Sequence, residues 1–472
     1  MTAFAYFVFF LAPIWALSHV MSRRAAPLAV AQAVVVTWLT MPLLRIDMPG
    51  LPDLDKETLI GCSTLAGVLL AGRRQGARIG ASPCDVPMIC LCLAPIGSSL
   101  ANDLGVFDGL SSALRYFFTF GLPFVIGRII FVDAAAVGAL ARTLALGVLC
   151  YLPAVLFESR MAPQLHMWVF GMPGRVGWET VDVYGPLRWK PSVFLQSPLE
   201  LTLLMGIGFL AVYWTRVTTS ARRFGPLTIG WASRLAFFAT LMGKSLGGFT
   251  LTIVGLAALR ATRALRHPII IALLLTVAPL YISLRASGWW DGMSLIEFLR
   301  ENVSVRRAES FLTRIDNENI LVAKALEQPL FGWGGWGRNR VFSEEGIDIS
   351  VTDGLWVILL GINGWTGLCS WLALVTSCHL PILRHWRRAG ASRVADGPIL
   401  WAMVVVILHS IDSMANAMTN PIYYMLMGAL VSVGQVGRYV MSSPGAVAEA
   451  VRGALASNRR APLQPRRNIA AG

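Results

Sequence analysis

Thirteen apolar runs, most of them 15 to 27 residues long, dominate this chain. They lie at about 3–20, 26–44, 58–72, 85–101, 113–131, 137–157, 193–214, 227–243, 247–261, 268–285, 354–380, 398–416 and 421–440. A helix of about 20 apolar residues crosses the roughly 30 Å hydrocarbon core of a bilayer, so runs of this length with few charges read as transmembrane helices. The predicted fold class is all-α, a polytopic transmembrane helix bundle of about 12–13 spans. Two places are ambiguous: 58–72 is short for a full span, and 227–261 reads either as a hairpin or as one helix plus a re-entrant piece. The first run lacks a basic flank and a small-residue cleavage pattern, and reads as a span.

Composition agrees. Of 472 residues, 55% are hydrophobic and 14% charged, whereas soluble domains carry about a quarter charged residues. The net charge of +14 would suggest nucleic-acid binding in a soluble protein. In a membrane bundle it first asks which side the positives occupy. Arg23 and Arg24, Arg73, Arg74 and Arg78, Arg128, Arg216, Arg222 and Arg223, Arg260, Arg263 and Arg266, then Arg384, Arg387, Arg388 and Arg393 fall on alternate connections. Lys and Arg in short loops mark the cytoplasmic side, which puts the N-terminus outside and the C-terminus inside. The intervening loops carry Asp47, Asp53, Asp55 and Glu57, then Asp103 and Asp108, then Asp412. An Ala/Pro/Arg-rich tail after Tyr439 reads as disordered and cytoplasmic. The seven cysteines sit in or beside spans, with no disulfide framework and no spaced Cys/His metal set.

Two outer connections break the acidic trend. One, about 158–192, carries Arg160, Arg175, Arg188 and Lys190 among Trp168, Trp178, Tyr184 and Trp189. The other, about 286–352, is the longest stretch outside the spans, and loops of this length usually serve a function. Helical spacing is predicted over 293–302 and 305–327. A Gly/Trp turn follows, Pro329-Leu330-Phe331-Gly332-Trp333-Gly334-Gly335-Trp336-Gly337, and then Arg338 and Arg340. Trp333 and Trp336 offer faces that suit a sugar ring or a membrane interface. Guanidinium groups outside the cytoplasm suit phosphate, which they bind in a planar bidentate way.

These residues resemble the O-antigen ligase/polymerase superfamily. Arg314 stands fifteen residues ahead of a Pro329-Leu330-Phe331-Gly332-Trp333-Gly334 turn, and Asp353 stands eleven ahead of Gly364-Trp365-Thr366-Gly367-Leu368. Arg188 precedes Phe194-Leu195-Gln196-Ser197-Pro198, and Lys244-Ser245-Leu246-Gly247 is similar to the family's Ser-Arg-Gly element. Asp353 occupies the place of the family's His, and Leu246 that of its Arg.

The resemblance implies a glycan polymerase or ligase of the bacterial inner membrane, in O-antigen or exopolysaccharide biosynthesis. It would move a saccharide from an undecaprenyl-diphosphate carrier to an acceptor hydroxyl at the periplasmic face, with membrane lipids around it. No cofactor, metal or nucleic acid is implied, and chain-length or export proteins are the expected protein partners. The departure at Asp353 favours polymerase over ligase. Arg314, Arg188 and Asp353 are the catalytic candidates, the two Arg on the leaving diphosphate and Asp353 as base, or else as cap of the helix starting at 354. Lys190, Lys244, Arg338, Arg340, Trp333 and Trp336 are the substrate-binding candidates. Lys244 has a snorkelling alternative, His409 and Asp412 are ionisable groups at a span edge, and Glu200 is expected to pair with Arg188 or Lys190. The expected organisation is N-terminal transmembrane helices (1–157), a periplasmic loop (158–192), central transmembrane helices (193–285), a large, partly helical periplasmic loop (286–352), C-terminal transmembrane helices (353–440) and a tail (441–472). A transporter or flippase is the alternative, though the sequence has no internal repeat of the kind such proteins carry.

Overall fold

A computed structural model describes residues 2–48, 51–71, 80–174, 189–335, 337–386, 394 and 396–442. Every predicted apolar run carries a helix. In chain order these are α1 (Ala3–Ser22), α2 (Pro27–Thr40), α3 (Lys56–Leu70), α4 (Val86–Ala101), α5 (Val106–Tyr116), α6 (Leu122–Ile130), α7 (Ala134–Met161), the short α8 (Leu165–Phe170) and α9 (Pro198–Thr218). Then come α10 (Ile229–Met242), α11 (Leu246–Leu265), α12 (Ile269–Leu275), α13 (Val277–Ala286), α14 (Met293–Asn302), α15 (Val305–Leu326), α16 (Leu355–His385), α17 (Pro398–Ala415) and α18 (Pro421–Ser442). Among the described residues, nine helical stretches are long and apolar enough to cross a membrane, with α5–α6 and α12–α13 each counted as one. The chain is an all-α, multi-pass membrane bundle. The tail from 443 onward and the basic positions Arg73, Arg74, Arg78, Arg387, Arg388 and Arg393 lie outside the described residues.

Burial sorts the helices. From Ile399 to Ser410 every residue of α17 is buried, as is α9 from Glu200 to Val212; a helix apolar all round belongs in the middle. At the periphery, α1 turns Phe4, Phe7, Phe10 and Ile14 outward, the face a lipid surround accepts. Three boundaries differ from the sequence reading. The fifth span begins at Val106, because an amphipathic stretch extends it and a π turn at Phe117–Gly121 joins α5 to α6. The loop expected from 158 starts later, since α7 runs to Met161 with Glu158 inside the protein, where it accepts backbone N–H groups of Leu165, Ser192 and Val193. The 227–261 region is two helices, α10 on α9 and α7, and α11 on α9 and α17.

One basic residue assigned to a cytoplasmic loop is instead a structural clasp. Arg128, 8% exposed, meets both Asp85 carboxylate oxygens at 2.8 and 2.9 Å and donates to Ser432 (2.7 Å) and Gln435 (2.9 Å). Beside it α6 and α18 touch backbone to backbone, because a side chain at Gly127 would strike Met425 and one at Gly428 would strike Phe124. Small residues permit such approaches in membranes. Removing one partner of a buried pair costs about 3–5 kcal/mol. Arg128→Ala is therefore expected to lower the melting temperature of the detergent-purified protein by several degrees, whereas Ala at the exposed Arg23 should leave it unchanged. Equal melting of the two variants would refute the clasp.

Candidate functional site

The site is framed by a break in α16. Gly364 takes φ 61° and ψ −160°, a conformation open essentially to glycine alone, and the break frees backbone groups on both sides of it. The turn 329–334 takes them up. Trp333 and Gly334 N–H donate to the Gly361 and Ile362 carbonyls at 2.9 and 3.0 Å, while Trp365 and Thr366 N–H donate to those of Pro329 and Leu330 at 2.8 and 3.2 Å. The end of α4 joins in: Ser98 Oγ donates to Ile362 O (2.6 Å), and Asn102 Nδ2 to Gly332 O (2.7 Å). The backbones are so close that a Cβ on Gly332 or Gly364 would come within 2.5 Å of the other strand.

A second clamp holds the loop helix α15 against the bundle. Arg285, on α13, meets Glu318 at 3.1 Å, Asn319 Oδ1 at 2.7 Å and the Ile315 carbonyl at 3.2 Å, and Tyr281 Oη donates to Glu318 at 2.8 Å. Burial pushes the Glu318 carboxyl up, opposed by the Tyr281 and Arg285 hydrogen bonds. This clamp, with the packing of α15 on α16, fixes where Arg314 projects.

Between these elements lies a cavity of about 730 Å³, within the usual range for small-molecule sites. Five cationic side chains line it, Arg45, Lys56, Arg115, Arg314 and Arg340, with three carboxylates, Asp55, Glu57 and Asp353. Arg314 Nε stands 3.9 Å from Asp353 Oδ2, and its Nη1 reaches the Ala415 carbonyl at 3.4 Å. Arg340 is paired with Asp348, Arg45 with Asp53, and Arg115 stands 3.9 Å from Asp53. Lys56 is buried, donating to Phe194 O at 3.1 Å with its ammonium 4.7 Å from the Trp38 ring centre. Glu57 Oε1 accepts from Thr419 at 2.8 Å and Gln196 at 3.4 Å. Chemically, the arrangement offers guanidinium groups for an anion and carboxylates within the same enclosure for a proton. Among the described residues no cluster of His, Cys, Asp or Glu is arranged to hold a metal ion.

Of the sequence candidates, Arg314, Asp353 and Arg340 line this cavity; Lys190, Lys244, Arg338 and Trp333 are not among its lining residues. Arg188 and Trp336 lie outside the described residues. The cap position of α16 falls to Gly354, one residue beyond Asp353. Trp333 is a strut: its indole N–H donates to the Lys324 carbonyl at 2.7 Å, under the Lys324 ammonium at 3.7 Å. Lys244 sits in the turn between α10 and α11 with φ 58°. Glu200 takes the Trp38 indole (3.1 Å), the Asn420 amide (3.2 Å) and Gln196 N–H (3.0 Å); Arg188, one of the two partners considered for it, lies outside the described residues. His409 is buried and stacked on Tyr423, and Asp412 accepts from Asn416. Sequence reasoning missed Lys56, Glu57, Arg115, Tyr116 and Asn363. Arg115 and Asn363 did carry a signal, a polar residue inside an apolar run, which marks function by default when ionisable.

No known protein-family model matches the chain, and no curated protein is significantly similar to it.

The break predicts its own test. Gly364→Ala imposes about 1–3 kcal/mol of backbone strain and a clash with the Leu330 carbonyl. It is expected to loosen the 329–334 turn, so that protease cuts the 286–352 loop faster in membranes. A cleavage rate equal to the parent's would contradict the docking role of the turn.

Proposed function

We propose that the chain is a glycan polymerase or ligase that transfers a saccharide from an undecaprenyl-diphosphate carrier to an acceptor hydroxyl at the periplasmic face of a bacterial inner membrane. In this reading the cavity opens to the periplasm, the N-terminus is periplasmic and the C-terminus cytoplasmic. The observation that carries it is the meeting of Arg314 and Asp353, 39 positions apart in sequence, at 3.9 Å on one wall of the cavity.

The chemistry follows from what each group holds. The acceptor oxygen forms a bond to the anomeric carbon while the bond from that carbon to the diphosphate oxygen breaks, and the electron pair leaves with the diphosphate. Negative charge thus grows on the leaving oxygen, where preorganised cations are worth most. Arg314 is the nearest candidate, with Arg340, Arg45 and Arg115 around the same enclosure. Asp353 takes the acceptor's proton, provided the hydroxyl lies within hydrogen-bond reach. The interruption of α16 is the feature that favours the transporter alternative, since transporters hold cargo at the ends of broken helices. Here four of the freed groups are already bonded to 329–334, which engages them in docking the loop.

Arg314→Ala is expected to reduce long-chain surface polysaccharide in the native host by at least about a hundredfold while the protein stays in the membrane; loss of one preorganised donor costs about 10²–10³ in rate. Asp353→Asn should lose as much. In a deletion strain, a lone repeat unit on its acceptor indicates polymerase, and finished polymer stranded on the carrier indicates ligase. Intact polymer in the deletion strain would sink the proposal.

A further inference from the structure

Asn363 is wholly buried, lines the cavity, and accepts the Tyr116 hydroxyl on Oδ1 at 2.6 Å. Among the described residues its amide nitrogen has no hydrogen-bond partner. Buried side-chain donors are nearly always satisfied, because leaving one bare forfeits the hydration it had in the unfolded chain. The amide is also held firmly: α5 supplies Tyr116, and Gly364, the next residue, is locked into the 329–334 turn.

The neighbouring groups select the ligand. Glu57 lines the same cavity and supplies acceptor oxygens, while Trp38, Tyr116 and Phe120 supply aromatic surface. A sugar hydroxyl both donates and accepts, and a sugar ring packs against an aromatic face. We propose that this wall is a saccharide subsite, in which Asn363 Nδ2 donates to an oxygen of the sugar and Tyr116 acts as the positioning residue that orients the amide. The inference rests on the transferase reading of the cavity and assigns a residue to the glycan part of the donor.

The test uses the full chain in lipid nanodiscs, titrated with the repeat-unit oligosaccharide cleaved from the host's own surface glycan. Asn363→Leu is expected to weaken binding about tenfold or more, the loss of roughly one hydrogen bond. Asn363→Leu also removes the acceptor of the Tyr116 hydroxyl, so stability is read on the double variant Asn363→Leu/Tyr116→Phe, whose melting temperature should stay level with the parent's. Asn363→Asp, which swaps the donor for an acceptor, should bind no better than Asn363→Leu, and Tyr116→Phe should weaken binding by a smaller factor. Unchanged oligosaccharide affinity in Asn363→Leu would overturn the subsite. So would a melting temperature several degrees lower in Asn363→Leu/Tyr116→Phe, because the pair would then be a strut. Neither result touches the transferase reading, which falls only if the deletion strain keeps its polymer.

Discussion

A helix interrupted within a membrane protein persists only where other protein groups take up its freed carbonyl and N–H groups, because hydrocarbon offers none. In α16 the interruption is at Gly364, and the turn 329–334 meets it with four backbone hydrogen bonds. Much of the arrangement around the cavity follows from that junction. It pins the end of the long loop, brings the start of α16 and Asp353 beside α15, and holds the α4 end through Ser98 and Asn102. The Arg285–Glu318 clamp fixes the other side of α15. The cavity is the space these constraints enclose with α3, α5 and the 43–57 connection.

Charge is used in two ways. Several arginines counted by the positive-inside rule in the sequence are fastened to carboxylates: Arg128 to Asp85, and Arg263 and Arg266 to Asp396. Fastening lets a membrane protein carry a large positive total without leaving guanidinium groups in hydrocarbon. On the other side of the bundle, the cations around the cavity are likewise partnered, but at its wall, where a bound anion could share them. Carboxylates that hold Arg314 and Arg340 in place reduce the side-chain ordering an anionic ligand would otherwise require.

Local patterns were legible in the sequence. Apolar length located every helix of the bundle, and 3.6-residue spacing gave α14 and α15 nearly to the residue, because both signals are contained within one segment. Arg314 and Asp353 were legible as site candidates through a family resemblance, although only the fold brings them to 3.9 Å. The Gly/Trp turn was read for its side chains, as a ligand surface. Its backbone also docks into α16 about 30 residues further on, a partnership no local pattern announces. Lys56, Glu57 and Asn363 were missed for the same reason: each is one polar residue at or inside an apolar run, and its role comes from Phe194, Thr419 and Tyr116 on distant elements. The pairing of Arg128 was not legible, because its sequence position says nothing of a carboxylate 43 residues earlier that folds against it.

The central proposal is that the Arg314–Asp353 wall carries saccharide transfer from a lipid diphosphate. Its most direct test is reconstitution of the purified chain in nanodiscs with an undecaprenyl-diphosphate-linked repeat unit isolated from the host, following release of undecaprenyl diphosphate. The parent chain should release the carrier and extend or attach the glycan, while Arg314→Ala and Asp353→Asn, at equal protein, should release at least a hundredfold less. Release at the parent rate by both variants would contradict the proposal.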